Sequence, residues 1–366
     1  MNVYFLGERR LKLFDWYIFR AILEMTLIVL FVFVALSGFV DFIGQIDDIG
    51  TGDYGVNQAI QYTLLKLPSS IFQLMPIIIL MGSLLGLGLL SKNRELIVLL
   101  SSGLSLQRLG ISVFASGLIL CFFTVSLGEY ISPSMERYAD QYRTISKFQY
   151  SSLGKTRGIW LKEGNKIINI NLLEENKSFG NVTIYELKTR SQLWKMSRAS
   201  SAGIDDDNQW ILSNLKETVF NDKGISQEYS RYKIEKTKLD RDLVSLTVVK
   251  PENLNIIELY RFVNYLKSNG LDSNLYSTAF QSRIASLFAL PFMCLLALPF
   301  SLGFLREKGT GYRILLGVMI GLTYFLIENT LVESSQVYNI NPILVGWLPT
   351  LLLSIAVFSV FRIIQR

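Results

Sequence analysis

Apolar residues are concentrated in a few long stretches of the chain. A helix needs about 20 apolar residues to cross the roughly 30 Å hydrocarbon core of a bilayer. Six segments reach or approach this length, at 16–40, 62–90, 109–127, 280–305, 314–332 and 342–364. The pattern therefore predicts six transmembrane helices, arranged as three spans, a long polar insert and three further spans.

The first apolar stretch lies where a cleavable signal peptide would also lie. Its apolar run is too long for a signal peptide, and no small-residue cleavage site follows it. We therefore predict that this stretch is kept as the first transmembrane helix.

The loops between the apolar stretches differ in charge between the two sides of the membrane. The short loops 41–58 and 333–341 contain no lysine or arginine. Basic residues gather instead around the start of the first stretch, in the loops after the second and fourth, and at the end of the chain: Arg9, Arg10, Lys12, Arg20, Lys92, Arg94, Arg108, Arg306, Lys308, Arg313, Arg362 and Arg366. Because positively charged loops stay in the cytoplasm, we predict cytoplasmic termini and an extracytoplasmic insert.

The polar insert contains short alternating segments that are separated by turn residues. Gly164 and Asn165 lie between two such segments, 158–162 and 166–170, which predicts a β-hairpin. Its apolar positions are Ile159, Leu161, Ile168 and Ile170. Further strands are predicted at 182–187, 193–199, 209–212, 217–220 and 229–234. The insert is thus predicted to be a small antiparallel sandwich or jelly roll.

A helix is predicted at the end of the insert, over 255–269. Asn255 and Glu258 have the spacing of a capping box, and Gly270 is a typical terminator. The apolar residues of this helix share one face, so it packs on the β domain or the membrane surface, or acts as a lever to the fourth span.

The predicted fold class is a membrane α-helical protein with an inserted extracytoplasmic all-β, jellyroll-like domain. The first three spans occupy 1–131, the β domain occupies 132–277, and the last three spans occupy 278–366. Composition agrees with this architecture, since hydrophobic residues make up 50% of the chain and charged residues 18%, against about 25% charged in a typical soluble domain.

Charge and residue content also exclude several kinds of site. A net charge of +6 is compatible with nucleic-acid binding, with binding to an anionic membrane surface, or with basic residues that flank membrane spans. The positions of these charges in the loops favour the last explanation.

No histidine occurs, which excludes Ser-His-Asp and Cys-His nucleophile systems and HExxH zinc sites. Gly154-Lys155-Thr156 resembles the end of a phosphate-binding loop, but the required glycine five residues earlier is Gln149. We expect no catalytic, metal or ATP site in this chain, so that ATP-driven work falls to a partner.

The most informative segment, about 91–102, follows the second apolar stretch on the predicted cytoplasmic side. Charged residues there precede an apolar run that ends at Gly103. The segment fits an ordinary interfacial helix or a coupling helix that docks into a cytoplasmic motor protein. The residues assigned to coupling are Arg94, Glu95, Leu96 and Leu99.

Several segments, in order along nearly the whole chain, resemble the LptF/LptG permeases, the membrane halves of the lipopolysaccharide-export ABC transporter. They are Leu36-Ser-Gly, Tyr62-Thr-Leu-Leu, Leu84-Leu-Gly-Leu-Gly, Arg94-Glu-Leu-Ile-Val-Leu-Leu-Ser-Ser-Gly-Leu-Ser, Gly128-Glu-Tyr-Ile, Gly158-Ile-Trp-Leu-Lys-Glu-Gly-Asn, Asn264-Tyr-Leu-Lys-Ser-Asn-Gly, and Arg283 with Pro291. The two segments in the insert are most similar to the G-type permease (LptG).

This resemblance implies a six-helix permease half with an extracytoplasmic β-jellyroll in the inner membrane of a Gram-negative bacterium. The implied partners are an F-type permease (LptF), two LptB ATPase subunits that hold ATP and Mg, and LptC. The implied task is to extract lipopolysaccharide from the inner membrane and pass it to the periplasmic bridge for export to the outer membrane.

Lipid A carries phosphates, so a cavity that receives it is expected to present cations near the outer face of the membrane. The candidates are Lys66, Arg137, Arg143 and Arg283, each of which could instead snorkel to the interface or form a salt bridge. The family pattern carries basic residues at the positions of Arg143 and Arg283, whereas Lys66 is one turn early.

Acidic residues depart from the family pattern at the outer end of the first span. Asp41, Asp47 and Asp48 lie where the resemblance implies basic residues. Either the lipid head group differs, or divalent cations bridge it, or the first span contributes only packing. Glu328, an intramembrane carboxylate in the fifth span, is a lateral-gate candidate or a hydrogen-bond partner for a neighbouring helix.

The sequence alone leaves two alternative functional classes to consider, a membrane-anchored structural or sensor protein and an intramembrane enzyme. A membrane-anchored structural or sensor protein would use its outer β domain to bind a partner. An intramembrane enzyme using Glu328 lacks a second catalytic group at suitable depth. Copurification of an ATPase and a second permease distinguishes a transporter half from an anchor.

Overall fold

A computed structural model of the chain describes residues 2–148, 158–173, 178–189, 192–204, 209–221, 224–236, 243, 246, 249–302 and 309–365. The loop cations Arg306, Lys308 and Arg366, and the segment Gly154-Lys155-Thr156, lie outside these ranges. The chain folds into two compact units. One comprises Met1–Ile49, Ala59–Ala139 and Asn274–Arg366, and the other comprises Gly50–Gln58 and Asp140–Ser273.

The described helices account for the apolar stretches of the sequence. They are α1 (Asn2–Ile43), α2 (Val56–Lys92), α3 (Glu95–Ser101), α4 (Leu106–Ser126), α5 (Ser132–Phe148), α6 (Ile256–Ser268), α7 (Asn274–Leu302), α8 (Thr310–Tyr338) and α9 (Pro342–Gln365). Within the described ranges, six segments are long and apolar enough to cross a membrane: Leu13–Asp48, Val56–Lys92, Leu106–Lys147, Asn274–Leu302, Thr310–Tyr338 and Pro342–Ile363. The six predicted spans are confirmed.

The third span continues through a π-helical turn. Leu127–Ile131 forms this turn and joins α4 to α5 without a break. Gly128 lies in the turn, where the ring of Phe72 occupies the space that a Cβ would take. A π-helical turn widens the helix locally, and such turns are frequent at functional positions.

α2 is the central element of the membrane unit. Its most apolar window is 83% buried, whereas the corresponding windows of the first and fifth spans are 6% and 17% buried. Glycines on α2 allow the close approach of its neighbours, as small residues do between membrane helices. Gly86 lies where an added Cβ would be 2.6 Å from the carbonyl oxygen of Ala21 on α1, and Gly88 lies under the side chain of Arg313 on α8.

The second unit contains a single described sheet of six antiparallel strands. The strands are β1 (Ile159–Glu163), β2 (Lys166–Leu173), β3 (Ser178–Thr189), β4 (Gln192–Ile204), β5 (Gln209–Asn221) and β6 (Gly224–Lys236). Each strand pairs with its neighbour in the chain, so the order is a meander. This confirms an inserted antiparallel β domain. Within the described strands there is no second sheet of a sandwich, and the jellyroll is not confirmed.

The predicted hairpin is present with the expected register. Glu163 pairs with Lys166 and Ile159 with Ile170, and Gly164 has the positive φ of 57° that the turn requires. The apolar positions predicted for its inner face are buried, with exposures of 6% or less: Ile159, Leu161, Ile168 and Ile170.

α6 begins with the predicted capping box and packs on this hairpin. Glu258 N donates to Asn255 Oδ1 at 2.8 Å, and Asn255 N donates to Glu258 Oε2 at 3.0 Å. Tyr265 Oη donates to the carbonyl oxygen of Lys162 at 3.1 Å and accepts from its backbone N–H at 3.0 Å. The sequence left open whether α6 packs on the β domain or on the membrane surface, or acts as a lever. The structure shows that it packs on the β domain.

A buried carboxylate connects three strands of the sheet. Glu217 of β5 accepts from Lys195 Nζ at 2.7 Å, Lys233 Nζ at 2.8 Å and Ser197 Oγ at 3.2 Å. Burial raises the pKa of the Glu217 carboxyl, but the bonds from the two lysines lower it by more, so its pKa lies below the ordinary value. The charged form of Glu217 therefore stabilises the β domain at neutral pH.

Replacing Glu217 with Gln is expected to destabilise the β domain by about 1.5–3 kcal/mol, the range for hydrogen bonds to charged groups. Because the folded pKa of Glu217 is lowered, its contribution is complete above the ordinary value of 4.5 and is lost as the pH falls through the folded pKa. Thermal unfolding of the full chain, followed by circular dichroism across this pH range, measures the difference.

The matched control for this experiment is Glu228→Gln. Glu228 pairs with Glu217 in the β5–β6 ladder but is exposed, so its replacement is expected not to lower stability. An equal loss in both variants at neutral pH would contradict the role assigned to Glu217.

Candidate functional site

The predicted coupling segment is a short helix separated from α2 by a sharp change in backbone direction. α2 ends at Lys92 and α3 runs over Glu95–Ser101, so the helix is shorter than the predicted 91–102. Arg94 has a φ of 63°, in the left-handed region, which separates the two helices. Gly103, with a φ of 97°, ends α3.

The four residues assigned to coupling differ in exposure. Arg94 is exposed, Glu95 and Leu99 are half-buried. Leu96 is fully buried, so it packs inside the unit and holds α3 in place. Val98 of α3 is 63% exposed, and Arg94, which precedes the helix, is exposed as well. Val98 was not among the residues predicted for coupling, and nothing in the uniformly apolar run 96–100 distinguishes it.

Two residues of α1 bind side chains of α3 and of the helix that follows it, α4. Tyr17 Oη donates a hydrogen bond to the carboxylate of Glu95. Asp15 Oδ2 accepts from Arg108 Nη2 at 2.6 Å, near the start of α4. These partners are 78 and 93 residues apart in sequence, so no local pattern could reveal them. The result is that α1 is joined directly to both α3 and α4.

Lys66, a predicted phosphate ligand, lies beside one of the acidic residues of the first span. Its Nζ is 3.9 Å from Asp41 Oδ1, and Asp41 Oδ2 accepts from Ser70 Oγ at 3.0 Å. Asp41 therefore connects α1 to α2. Asp47 and Asp48 follow in a 3-10 turn, Ile46–Asp48.

Arg283 lies at a junction of three helices. Its Nε is 2.7 Å from Glu129 Oε1, and its Nη2 donates to the carbonyl oxygen of Gly128 at 2.7 Å. The guanidinium also lies 4.6 Å from the centroid of the Phe72 ring, a cation–π distance. With a side-chain exposure of 9%, Arg283 holds α2, the π-helical turn and α7 together. Glu129, its main partner, was not found from the sequence.

The other two predicted cations belong to different units. Arg137 lies in the membrane unit and Arg143 in the unit that contains the sheet, and both are half-buried. Each makes polar or ring interactions within the protein. The phosphate role of the four cations stays a prediction.

Glu328 lies near the contact between α8 and α9. One turn earlier on α8, the Oη of Tyr324 is 3.4 Å from Thr350 Oγ1, and Thr350 donates to the carbonyl oxygen of Ala285 at 3.0 Å. Glu328 itself is half-buried, and within the described part of the chain its carboxylate makes no hydrogen bond or ion pair. The predicted hydrogen bond from Glu328 to a neighbouring helix is therefore not observed among the described residues. Tyr324, one turn earlier, makes such a bond to α9.

In the part of the chain that the structure describes, six helices long and apolar enough to cross a membrane, an inserted antiparallel β domain and a short helix between the second and third spans define a multi-pass membrane protein. A family model described as lipopolysaccharide export system permease LptF/LptG matches residues 16–363. This chain therefore belongs to the LptF/LptG family, which confirms the resemblance found in its motifs.

Two relatives are similar in sequence to this chain over almost its whole length. The lipopolysaccharide export system permease protein LptG of Escherichia coli K12 is 31% identical over 338 residues, which is 92% of this chain and 94% of the relative. The protein of the same name from Haemophilus influenzae is 29% identical over 346 residues, which is 94% of this chain and 96% of the relative.

Replacing Glu129 with Gln is expected to cost roughly 3–5 kcal/mol of stability, because it leaves the buried Arg283 without this carboxylate. A second change, Arg283→Gln, removes the buried charge, so the double variant is expected to be more stable than Glu129→Gln alone. Thermal unfolding of the full chain in detergent measures both.

Glu333→Gln serves as the control, since Glu333 is an exposed carboxylate at the end of the fifth span. This change is expected to alter stability by less than about 0.5 kcal/mol. A double variant no more stable than Glu129→Gln would show that Glu129 and Arg283 do not act as a pair.

Proposed function

We propose that this chain is the G-type permease half of a transporter that extracts lipopolysaccharide from the inner membrane and passes it to the periplasmic bridge. The observation that carries the proposal is the family match over residues 16–363, with relatives named LptG over more than nine-tenths of the chain. The chain itself catalyses no reaction, and ATP hydrolysis takes place in a partner subunit.

The proposed partners are an F-type permease (LptF), two LptB ATPase subunits with ATP and Mg, and LptC. Both termini are cytoplasmic and the β domain is periplasmic. This orientation is supported by loop charge, since Lys92, Arg94 and Arg108 lie on the same side as the carboxyl-terminal Arg362, whereas the loops 41–58 and 333–341 carry no lysine or arginine.

In the proposed coupling step, the ATPase pushes on the exposed residues Arg94, which precedes α3, and Val98 of α3. The buried Leu96 transmits this force to the membrane unit. Because Tyr17 binds Glu95 and Asp15 binds Arg108, α1 moves together with α3 and α4. α1 and α8, the first and fifth spans, are the proposed lateral gate, with Glu328 on α8.

Lys66, Arg137, Arg143 and Arg283 are the proposed ligands of the lipid A phosphates. Compared with the closely held Arg283, Lys66 is readily available. Its side chain is 33% exposed and its carboxylate partner is at 3.9 Å, a distance at which the ion pair is weak. A phosphate can therefore replace Asp41 as the partner of Lys66. In this interpretation Asp41 holds Lys66 in place between transport cycles.

We further propose that the six-stranded sheet is part of a jellyroll that shields the acyl chains. The face that carries Ile159, Leu161, Ile168 and Ile170 is apolar and buried, and it would exchange contacts within the protein for contacts with lipid. α6 binds the β1–β2 hairpin through Tyr265 and precedes α7 by a short connection, which supports a lever role.

Affinity purification of the chain from native membranes tests both the function and the coupling assignment. The wild-type chain is expected to bring down an ATPase and a second permease of similar length, whereas a sensor or structural anchor would bring down neither. Glu95→Lys is expected to reduce the recovered ATPase at least tenfold, roughly 1.4 kcal/mol, and to keep the second permease.

Tyr17→Phe is the matched control for Glu95→Lys. It removes the internal hydrogen bond to Glu95 but keeps the carboxylate, so it is expected to retain the ATPase and to weaken only ATP-dependent lipid release. Normal ATPase recovery with Glu95→Lys would contradict the assignment of α3 as the coupling helix.

Photocrosslinking of lipopolysaccharide tests the role of Lys66 with two changes of opposite sign. Lys66→Gln is expected to lower the crosslinking yield, because a phosphate loses its cation. Asp41→Asn is expected to raise it, because Lys66 loses its competing carboxylate.

Asp47→Asn is the control, since Asp47 is exposed on the following 3-10 turn. It is expected to leave the yield unchanged. A fall in yield with Asp41→Asn, together with a requirement for divalent cations, would instead support cation bridging and contradict the competition between Asp41 and phosphate.

A further inference from the structure

A groove in the membrane unit has no part in the function proposed above. It lies among α4, α7 and α9, and its volume is about 650 Å³, within the range of small-ligand sites. Phe114 of α4, Phe292 of α7 and Phe358 of α9 line its apolar part. All three helices belong to the same compact unit.

The apolar walls are fixed by aromatic packing. The ring of Phe292 meets Phe114 edge-on at 5.6 Å and Phe358 at 6.3 Å, both within the preferred range for aromatic pairs. Gly110 keeps the groove open, because a Cβ at this position would lie 3.0 Å from Cζ of Phe361. The groove is therefore preformed and needs no rearrangement to accept an apolar chain.

One end of the groove is polar. Gln107 in the first turn of α4 and Arg362 in the last turn of α9 line that end, and both are exposed. Among the lining residues in the described part of the chain, Arg362 is the one that carries a charge. The neighbouring cation Arg108 is bound to Asp15 instead. The groove thus combines an apolar length with a cation and an amide at one end.

We propose that this groove binds one anionic phospholipid, with its phosphate on Arg362 and Gln107 and an acyl chain between the phenylalanine rings. Charge complementarity selects this occupant, since basic pockets between membrane helices bind anionic head groups and an apolar cleft accepts the acyl chain. That the lipid belongs to the cytoplasmic leaflet rests on the proposed orientation. It is a bound lipid that holds α4, α7 and α9 together, not a transported one.

Native mass spectrometry of the full chain, purified with any subunits that accompany it, tests this site. The probes are dioleoylphosphatidylglycerol and dioleoylphosphatidylcholine, added separately. The wild type is expected to retain phosphatidylglycerol in preference to phosphatidylcholine. Arg362→Gln is expected to lower phosphatidylglycerol retention about fivefold, the factor for one basic residue near an anionic lipid surface, and Arg362→Lys is expected to restore most of it.

Two further variants complete the test. Gly110→Leu fills the groove and is expected to lower the retention of both lipids. Arg20→Gln removes an exposed arginine of α1 that is not part of the groove, and it is expected to leave retention unchanged.

Equal retention of the two lipids by the wild type would overturn the proposal, as would an equal effect of Arg362→Gln and Arg20→Gln. A groove that retains neither lipid, because a helix of another subunit fills it, would overturn it too. The assay contains neither lipopolysaccharide nor ATP, so its failure is distinct from failure of the proposed transport function.

Discussion

A charged side chain in a bilayer is costly unless a partner neutralises it, and this constraint determines how the membrane unit is held together. Arg283 on α7 meets Glu129 in the π-helical turn, Lys66 on α2 meets Asp41 on α1, and Arg108 on α4 meets Asp15. Each pair joins two different spans. These three ion pairs therefore act as cross-links between helices.

Close packing around α2 supplies the rest of the cohesion. Apolar contact alone gives membrane helices little reason to associate, because lipid tails are equally apolar, so small residues that allow backbones to approach become important. Gly86 receives the backbone of α1 and Gly88 the side chain of Arg313 from α8. α1 and α8, the two spans of the proposed gate, thus pack against the same buried helix.

Local patterns in the sequence predicted the elements of this fold but not the pairings between them. Hydropathy predicted the six spans, alternation predicted the β1–β2 hairpin, and the spacing of Asn255 and Glu258 predicted the start of α6. Arg283 and Glu129 are separated by 154 residues, so no local pattern connects them. The periodicity of apolar residues also does not show where an α-helix contains a π-helical turn such as the one that carries Glu129. The strand order of the sheet could not be predicted from the sequence either, because strands in a sandwich and in a meander show the same alternation of apolar and polar residues.

Two of the predicted phosphate ligands, Arg283 and Lys66, differ in how easily they can exchange their present partner for a phosphate, as the geometry of their ion pairs shows. Arg283 has a carboxylate and a carbonyl oxygen both at 2.7 Å, an aromatic ring against its face and 9% exposure, so binding a phosphate would require giving up several contacts at once. Lys66 has one carboxylate at 3.9 Å and 33% exposure, and a lysine ammonium binds as a point charge without a required geometry. Asp41 is also held by Ser70, which remains its partner when Lys66 leaves. In the proposed function, a lipid phosphate at this end of α2 would therefore meet a cation whose release costs little, whereas Arg283 keeps α2, the π-helical turn and α7 in place.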